Sequence, residues 1–191
     1  MKKLHITILL GTAREGRLSE HIANFLYTEI ASREDVTIEL VDVKDHLSGR
    51  TIPPWEENDD TKVWKNIVAK TDGFIIVSPE YNHGYPGELK ILLDQEHDAY
   101  RGKPVIVAAV SAGILGGSRL IEHIQPVLSE IGMIFLPFSL RFDNVQTFLD
   151  EKGNVTRKDE YLSRIKKTID ALVLYMKRLE GVATELQTHK K

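Results

Sequence analysis

The sequence predicts an α/β three-layer sandwich, with one five-stranded parallel sheet of order 2-1-3-4-5 and helices on both faces. Three observations lead there. Residues 4–10, 73–77 and 105–110 are apolar without alternation, as expected of strands buried on both faces. The segments between them carry apolar residues at helical spacing, and parallel strands need such crossovers. The chain has 191 residues, 42% hydrophobic and 28% charged, which suits one domain with a core on each side of a sheet.

Residues 4–10 form the first strand and residues 11–18 a loop rich in glycine and arginine. Ser19 is a plausible N-cap for a helix to about Ala31, with Ile22, Phe25, Leu26 and Ile30 inward. The second strand spans 36–43. A polar stretch with Pro53 and Pro54 leads to Asp59 and Asp60, acids suited to the start of a helix that runs to about Lys70. Residues 73–78 are the third strand, and the third helix opens over 88–94 behind Pro86. The fourth strand spans 105–110, and Ser118 caps a helix in which Pro126 predicts a kink or a broken hydrogen bond. A fifth strand covers 133–136, and a turn-rich insertion covers 150–154. Thr156 with Asp159 resembles a capping box for a last helix carrying Leu162, Ile165, Ile169, Leu172, Val173, Met176 and Leu179. Domain organisation follows as one domain over 1–183 and a polar tail over 184–191.

Composition narrows the function classes. A net charge of −3 argues against a nucleic-acid partner. No apolar run reaches transmembrane length, and His5 and Thr7 interrupt the run after Met1-Lys2-Lys3, so neither membrane insertion nor a secretory leader is expected. The chain has no cysteine, which excludes disulfides, thiolate metal sites and a cysteine nucleophile. A cytoplasmic location is the expectation. Seven scattered histidines without an H-E-x-x-H pattern predict no metal site.

The strand order is that of a flavodoxin-like fold, whose ligands bind beyond the carboxyl ends of the first and third strands, where the order reverses. Three loops meet on that rim. The first, residues 11–19, combines Gly11, Thr12, Gly16 and Ser19 with a helix start, an anion pocket to which Arg14 and Arg17 could add forked donors. Its glycines have Walker spacing, but Arg17 and Leu18 stand where lysine and a hydroxyl are required, so nucleotide hydrolysis is not expected. The second, Ser78-Pro79-Glu80-Tyr81-Asn82-His83-Gly84-Tyr85-Pro86-Gly87, is shaped by two prolines and two glycines. Amides around Glu80, Tyr81 and Asn82 could bond the edge of a flavin ring, and His83 could face a second substrate. The third loop, Ser111-Ala112-Gly113-Ile114-Leu115-Gly116-Gly117-Ser118, could approach that ring closely for want of side chains.

Here the residues carry a resemblance. G-T-A-R-E-G-R-L-S resembles the phosphate loop of the NADPH-dependent FMN reductase family, and S-P-E-Y-N-H-G-Y-P-G-E-L-K-I-L-L-D resembles its most specific segment. R-G-K-P-V with S-A-G-I-L-G-G-S-R is similar to its fourth strand and glycine loop, so the likeness covers about residues 4–150. The resemblance implies FMN as cofactor and NADPH as hydride donor, with NADH the other candidate. It implies ping-pong transfer on to a small-molecule acceptor such as a flavin, quinone, azo dye or metal ion. The hydride chemistry belongs to FMN, so no side chain is assigned as catalytic. Cofactor contacts would come from Gly11, Thr12, Arg14, Arg17, Leu18 and Ser19 at the phosphate, from Pro79, Glu80, Tyr81 and Asn82 at the ring, and from Ser111, Ala112, Gly113, Gly116 and Gly117 opposite. His83 and Tyr85 would face the substrate, and the protein would be a homodimer or homotetramer. Two other readings share the fold, a flavodoxin-like electron carrier and a non-enzymatic FMN-binding sensor or interaction protein. Trp55 with the acids of 56–60 reads as a helix-start cluster or a cover near the rim, and Glu96-His97-Asp98 as solvated surface or subunit contact.

Overall fold

Strand β1, Leu4–Leu10, pairs along its whole length with β2, Val36–Asp42, and on its other side with β3, Gly73–Pro79. Both pairings are parallel, and β3 continues in parallel to β4, Pro104–Val110. The computed structural model of the chain describes residues 3–150, 153–182 and 185–186. The leader reading at Met1 and Lys2 and most of the tail read over 184–191 lie outside them, as do residues 151 and 152 of the insertion.

The sheet order is β2-β1-β3-β4-β5, so the expected order stands, with its reversal between β1 and β3. Its fifth position differs from the expected single strand. It holds two fragments, β5 (Ile134–Phe135) beside the start of β4 and β6 (Leu140–Phe142) beside its end. Pro137 lies between them and has no N–H to offer the ladder.

Alternate residues of each strand face opposite layers. Ile6, Ile8 and Leu10 join Ile75, Val77, Ile106 and Ala108 under α1 (Ser19–Ala31) and α5 (Lys158–Arg178). Leu9, Phe74, Ile76, Val105 and Val107 form the other core, under α2 (Asp59–Lys70), α3 (Gly87–Leu93) and α4 (Ser118–Glu130). Both cores are aromatic at one place. Phe142 stacks on Tyr161 with ring centroids 4.8 Å apart, and buried Trp64 donates its indole N–H to the Tyr100 hydroxyl at 2.9 Å. Gly73 is required by packing, because a Cβ there would lie 2.9 Å from the Met176 side chain on α5.

Several expected helix signals are used differently. Asn58 caps α2, accepting the Asp60 amide at 2.8 Å, with Asp59 and Asp60 in the first turn. Ser19 and Ser118 are not caps but first helical residues, preceded by Leu18 and by Gly117 at φ +77°. The Ser118 hydroxyl instead donates to the Leu115 carbonyl at 2.7 Å. The Thr156 hydroxyl donates to the Phe148 carbonyl, so no capping box forms with Asp159. Helix α4 runs unbroken through Pro126, which removes one amide without ending the helix.

Candidate functional site

The reversal point places the β1–α1 loop and the β3–α3 loop side by side. Gly11 donates to the Val77 carbonyl at 2.9 Å, and a Cβ on it would come 3.0 Å from Leu89 of α3. Beyond it the loop is held from outside by two carboxylates. Glu88, on the first turn of α3, accepts the Thr12 hydroxyl at 2.9 Å and the Ala13 amide at 3.0 Å. Burial works against its charge, but these donors and the nearby Arg14 hold its carboxyl below the usual carboxylate range.

Asp42, at the end of β2, holds the other side of the loop. It takes a forked pair of bonds from Arg17, whose Nη1 also donates to the Thr12 carbonyl and whose Nε reaches Glu20 at 3.3 Å. The Arg17 side chain is only 4% exposed. Arg17, expected from the sequence at the phosphate, is placed here with its guanidinium already paired. Its guanidinium braces the loop to β2, because a buried arginine needs carboxylates within the protein.

The groups left over in this loop face the start of α1. Ser19 is buried, and its hydroxyl has no partner among the described residues. The His21 amide donates to the Leu18 carbonyl at 3.2 Å, and by helix geometry the amides of Ser19 and Glu20 precede the first helical acceptor. A buried hydroxyl at a helix start can be completed by an anion. Arg14 is exposed and stacks over the Tyr81 ring with its guanidinium carbon 3.5 Å from the centroid, tying the two loops together. The hydroxyls of Thr12 and Tyr81 lie 3.4 Å apart. Leu18 is on the surface of the turn, 36% exposed.

The β3–α3 loop is a miniature hairpin. Tyr81 and Gly84 exchange two backbone hydrogen bonds of 2.9 Å, with Asn82 at φ +49° and His83 at φ +67° between them. Both central residues of this tight turn are left-handed and neither is glycine, a conformation that costs energy. The amide roles expected at the ring are redistributed accordingly. Glu80 donates its amide to Val110 at 2.8 Å and Tyr81 donates to Gly84, whereas the amides of Asn82 and His83 have no acceptor among the described residues. Pro79 ends β3 as a buried residue, and Tyr85 is half-buried against the core beneath α3 and α4.

The β4–α4 loop closes the rim. Ser111 donates its amide to Phe142, and its hydroxyl accepts the Gly113 amide at 3.1 Å. Ala112, Gly113, Ile114 and Leu115 are exposed, Ile114 at 81%. Gly116 and Gly117 are buried at positive φ, and a Cβ on Gly117 would lie 2.6 Å from Ala109 Cβ. Glu80 reaches across to this element, its carboxylate accepting the Leu120 amide at 3.4 Å. All three expected loops thus meet at one edge. Glu88 and Asp42 were not legible beforehand, since each reads as an ordinary acid at the end of an element.

Two features stay apart from the rim contacts. Trp55 is 84% exposed in the stretch before α2, beside Ile52, Glu96 and His97. Glu96 caps the short turn after α3 by accepting the His97 and Ala99 amides.

Comparison with known proteins agrees with this geometry. Residues 4–146 match the family model described as NADPH-dependent FMN reductase. An NAD(P)H-dependent FMN reductase of Saccharomyces cerevisiae is 31% identical over 151 residues, covering 68% of this chain and 76% of the yeast protein. A quinone reductase of Escherichia coli is 28% identical over 141 residues, covering 66% of this chain and 70% of its own. Among solved structures, a flavoenzyme NAD(P)H:(acceptor) oxidoreductase of Paracoccus denitrificans superposes with a TM-score of 0.70 at 19% identity, covering 92% of this chain and 98% of its own.

Proposed function

The chain belongs to the NADPH-dependent FMN reductase family, and from that premise we propose how its rim works and what it reduces. It is an oxidoreductase of flavodoxin-like fold that uses FMN and NAD(P)H. When bound, FMN would supply two-electron exchange between the reduced nucleotide and the acceptor in a ping-pong cycle, and the residues of the rim would hold and orient it. The acceptor is a small oxidised molecule of the flavin or quinone kind, as the names of the relatives suggest.

The observation that carries the reading is the buried, unpartnered hydroxyl of Ser19 at the start of α1. A phosphate monoester fits it. Ser19 and the first amides of α1 would donate to the phosphate oxygens, and Arg14 would add charge from its seat on Tyr81. Thr12 would act mainly through the loop, because its hydroxyl already donates its hydrogen bond to Glu88. On the ring side, Pro79, Glu80 and Tyr81 form the wall, and the Asn82 and His83 amides are the donors aimed at the flavin edge. Gly113, flanked by Ser111 and Ala112, leaves room for the ring and acceptor on the other side, while Gly116 and Gly117 set the course of that loop by packing closely against Arg141 and Ala109; Tyr85 and His83 border the second substrate. Among the described residues no helix is long and apolar enough to cross a membrane. Exposed Trp55, Ile114 and Leu115 support a homodimer or homotetramer in solution, and light scattering on the pure protein reports which.

Anaerobic mixing of FMN-loaded protein with NADPH, and separately with NADH, tests the reading. Rapid bleaching of the flavin is expected, and protein that binds FMN yet is bleached by neither donor is a carrier or sensor instead. In the same protein Arg14→Ala should weaken FMN binding more than it disturbs folding, and an unchanged affinity removes the role given to Arg14.

A further inference from the structure

Besides Arg14, two further arginines on this rim are held in place without a carboxylate partner among the described residues. Arg119, in the first turn of α4, has Nη1 3.0 Å from Nε2 of His83. A guanidinium can only donate, so His83 accepts at Nε2 and carries its own proton on Nδ1. Arg141, on β6, donates from Nη1 to the Ser118 hydroxyl at 3.2 Å. By contrast Arg17, Arg33, Arg101 and Arg157 each face an aspartate or glutamate. Two acids of the rim are engaged otherwise. The Glu80 carboxylate accepts the Leu120 amide, and Asp143 accepts from Asn144 and from the Tyr161 hydroxyl.

The closure of this two-residue turn by the Tyr81–Gly84 bridge calls for positive φ at both central positions, and from His83 at φ +67° the imidazole reaches Arg119 on α4. An arginine oriented by a neutral acceptor keeps its full charge and its remaining N–H donors for another ligand. Arg119 and Arg141 flank the same residue, Ser118, one following it in the chain and the other bonded to it.

We propose that Arg119 and Arg141, the first oriented by His83, form a second anion subsite that receives a phosphate of the reduced pyridine nucleotide while its nicotinamide docks at the β3–α3 loop. The proposal rests on the reductase reading above. The phosphate is either the 2′-phosphate of NADPH or the pyrophosphate that NADPH and NADH share, and the chemistry of capture is the same for both. Toward the reduced nucleotide the His83 side chain is then a positioning residue, acting through Arg119.

Half-reaction kinetics of FMN-loaded protein with each donor decide it, comparing wild type with Arg119→Gln, Arg141→Gln, His83→Ala, His83→Gln and, as control, exposed Arg164→Gln on α5. Arg119→Gln should raise the half-saturating NADPH concentration about tenfold or more, as loss of a charge-assisted bond does. Arg141→Gln should act in the same direction. An effect confined to NADPH assigns the 2′-phosphate, and an equal effect with NADH assigns the pyrophosphate; both support the subsite. His83→Ala should reproduce part of the Arg119→Gln effect, and His83→Gln, whose amide oxygen can accept the same N–H, should restore much of it. Arg164→Gln should behave as wild type. Unchanged half-saturation for both donors in both arginine variants, with wild type bleached normally, overturns the subsite and leaves the reductase reading standing. Wild-type protein bleached by neither donor overturns that reading and the subsite together.

Discussion

The loop after β1 and the loop after β3 touch at Arg14 and Tyr81, yet they are built on opposite plans. The first owes its shape to distant carboxylates, Glu88 on α3 and Asp42 on β2, and leaves its own helix-start groups unpaired. The second closes on itself through the Tyr81–Gly84 bridge and stores strain at Asn82 and His83. The difference suits the two ends of a flavin nucleotide. A phosphate can be met by donors that the fold leaves unsatisfied, whereas a flat ring needs a wall whose position does not depend on the ligand. The first loop should therefore be sensitive to remote substitutions, and the second to local backbone changes.

The largest effect is expected at Asp42. Asp42→Asn leaves the buried Arg17 without its principal counter-charge and should cost about 3 kcal/mol of stability, measured by urea unfolding of FMN-free protein. The pH dependence has a definite sign. Burial disfavours the charge of Asp42, but Arg17 and the Lys44 amide outweigh it and hold the carboxyl below its ordinary value. Its contribution is therefore complete above the unfolded pKa, about 4, and is lost as pH falls through the lower folded value. The gap between wild type and Asp42→Asn should close in acid, and a gap that widens there would contradict this account.

Ser19→Ala should separate binding from stability. FMN affinity should fall about tenfold with the loss of one charge-assisted bond, while FMN-free protein gains up to about 1 kcal/mol from removal of an unsatisfied buried hydroxyl. Titration of flavin fluorescence and urea unfolding read the two halves, and a parallel loss in both would show that Ser19 is merely structural. Glu88→Gln keeps an acceptor for Thr12 or Ala13 but loses the charge, so about 1 kcal/mol of stability should go at neutral pH. Because the Glu88 carboxyl is also held low, that loss should shrink in acid, with burial opposing the donors named above.

The smallest effects belong to the self-contained loop. Asn82→Gly relieves the left-handed turn and adds unfolded-state freedom, and these nearly cancel to within about 0.5 kcal/mol. Asn82→Val, branched at Cβ, should cost about 1–2 kcal/mol. Equal stabilities for the two variants would mean that the turn is not under the strain its dihedral angles imply.

Much of this was legible in the chain. Unbroken apolar strands, helical spacing between them and three loops of unusual composition led to the sheet order and to the rim. Local signals misled where a tertiary partner outcompeted them. Thr156 found the Phe148 carbonyl rather than a helix amide, and Ser118 found that of Leu115. Arg17, set in a phosphate-like loop, was drawn to Asp42, more than twenty residues away in the chain.

The sequence by itself determined the periodicities, and so the layers, the parallel order and the edge at which a ligand sits, because burial on both faces of a strand writes a pattern that local reading recovers. Only the tertiary structure decided which of two neighbouring arginines is free for an anion, that Glu88 and Asp42 shape a loop to which neither belongs, and that His83 turns toward Arg119. Those outcomes depend on charges and hydrogen-bond partners brought together from distant parts of the chain, and spacing along the chain carries no record of them.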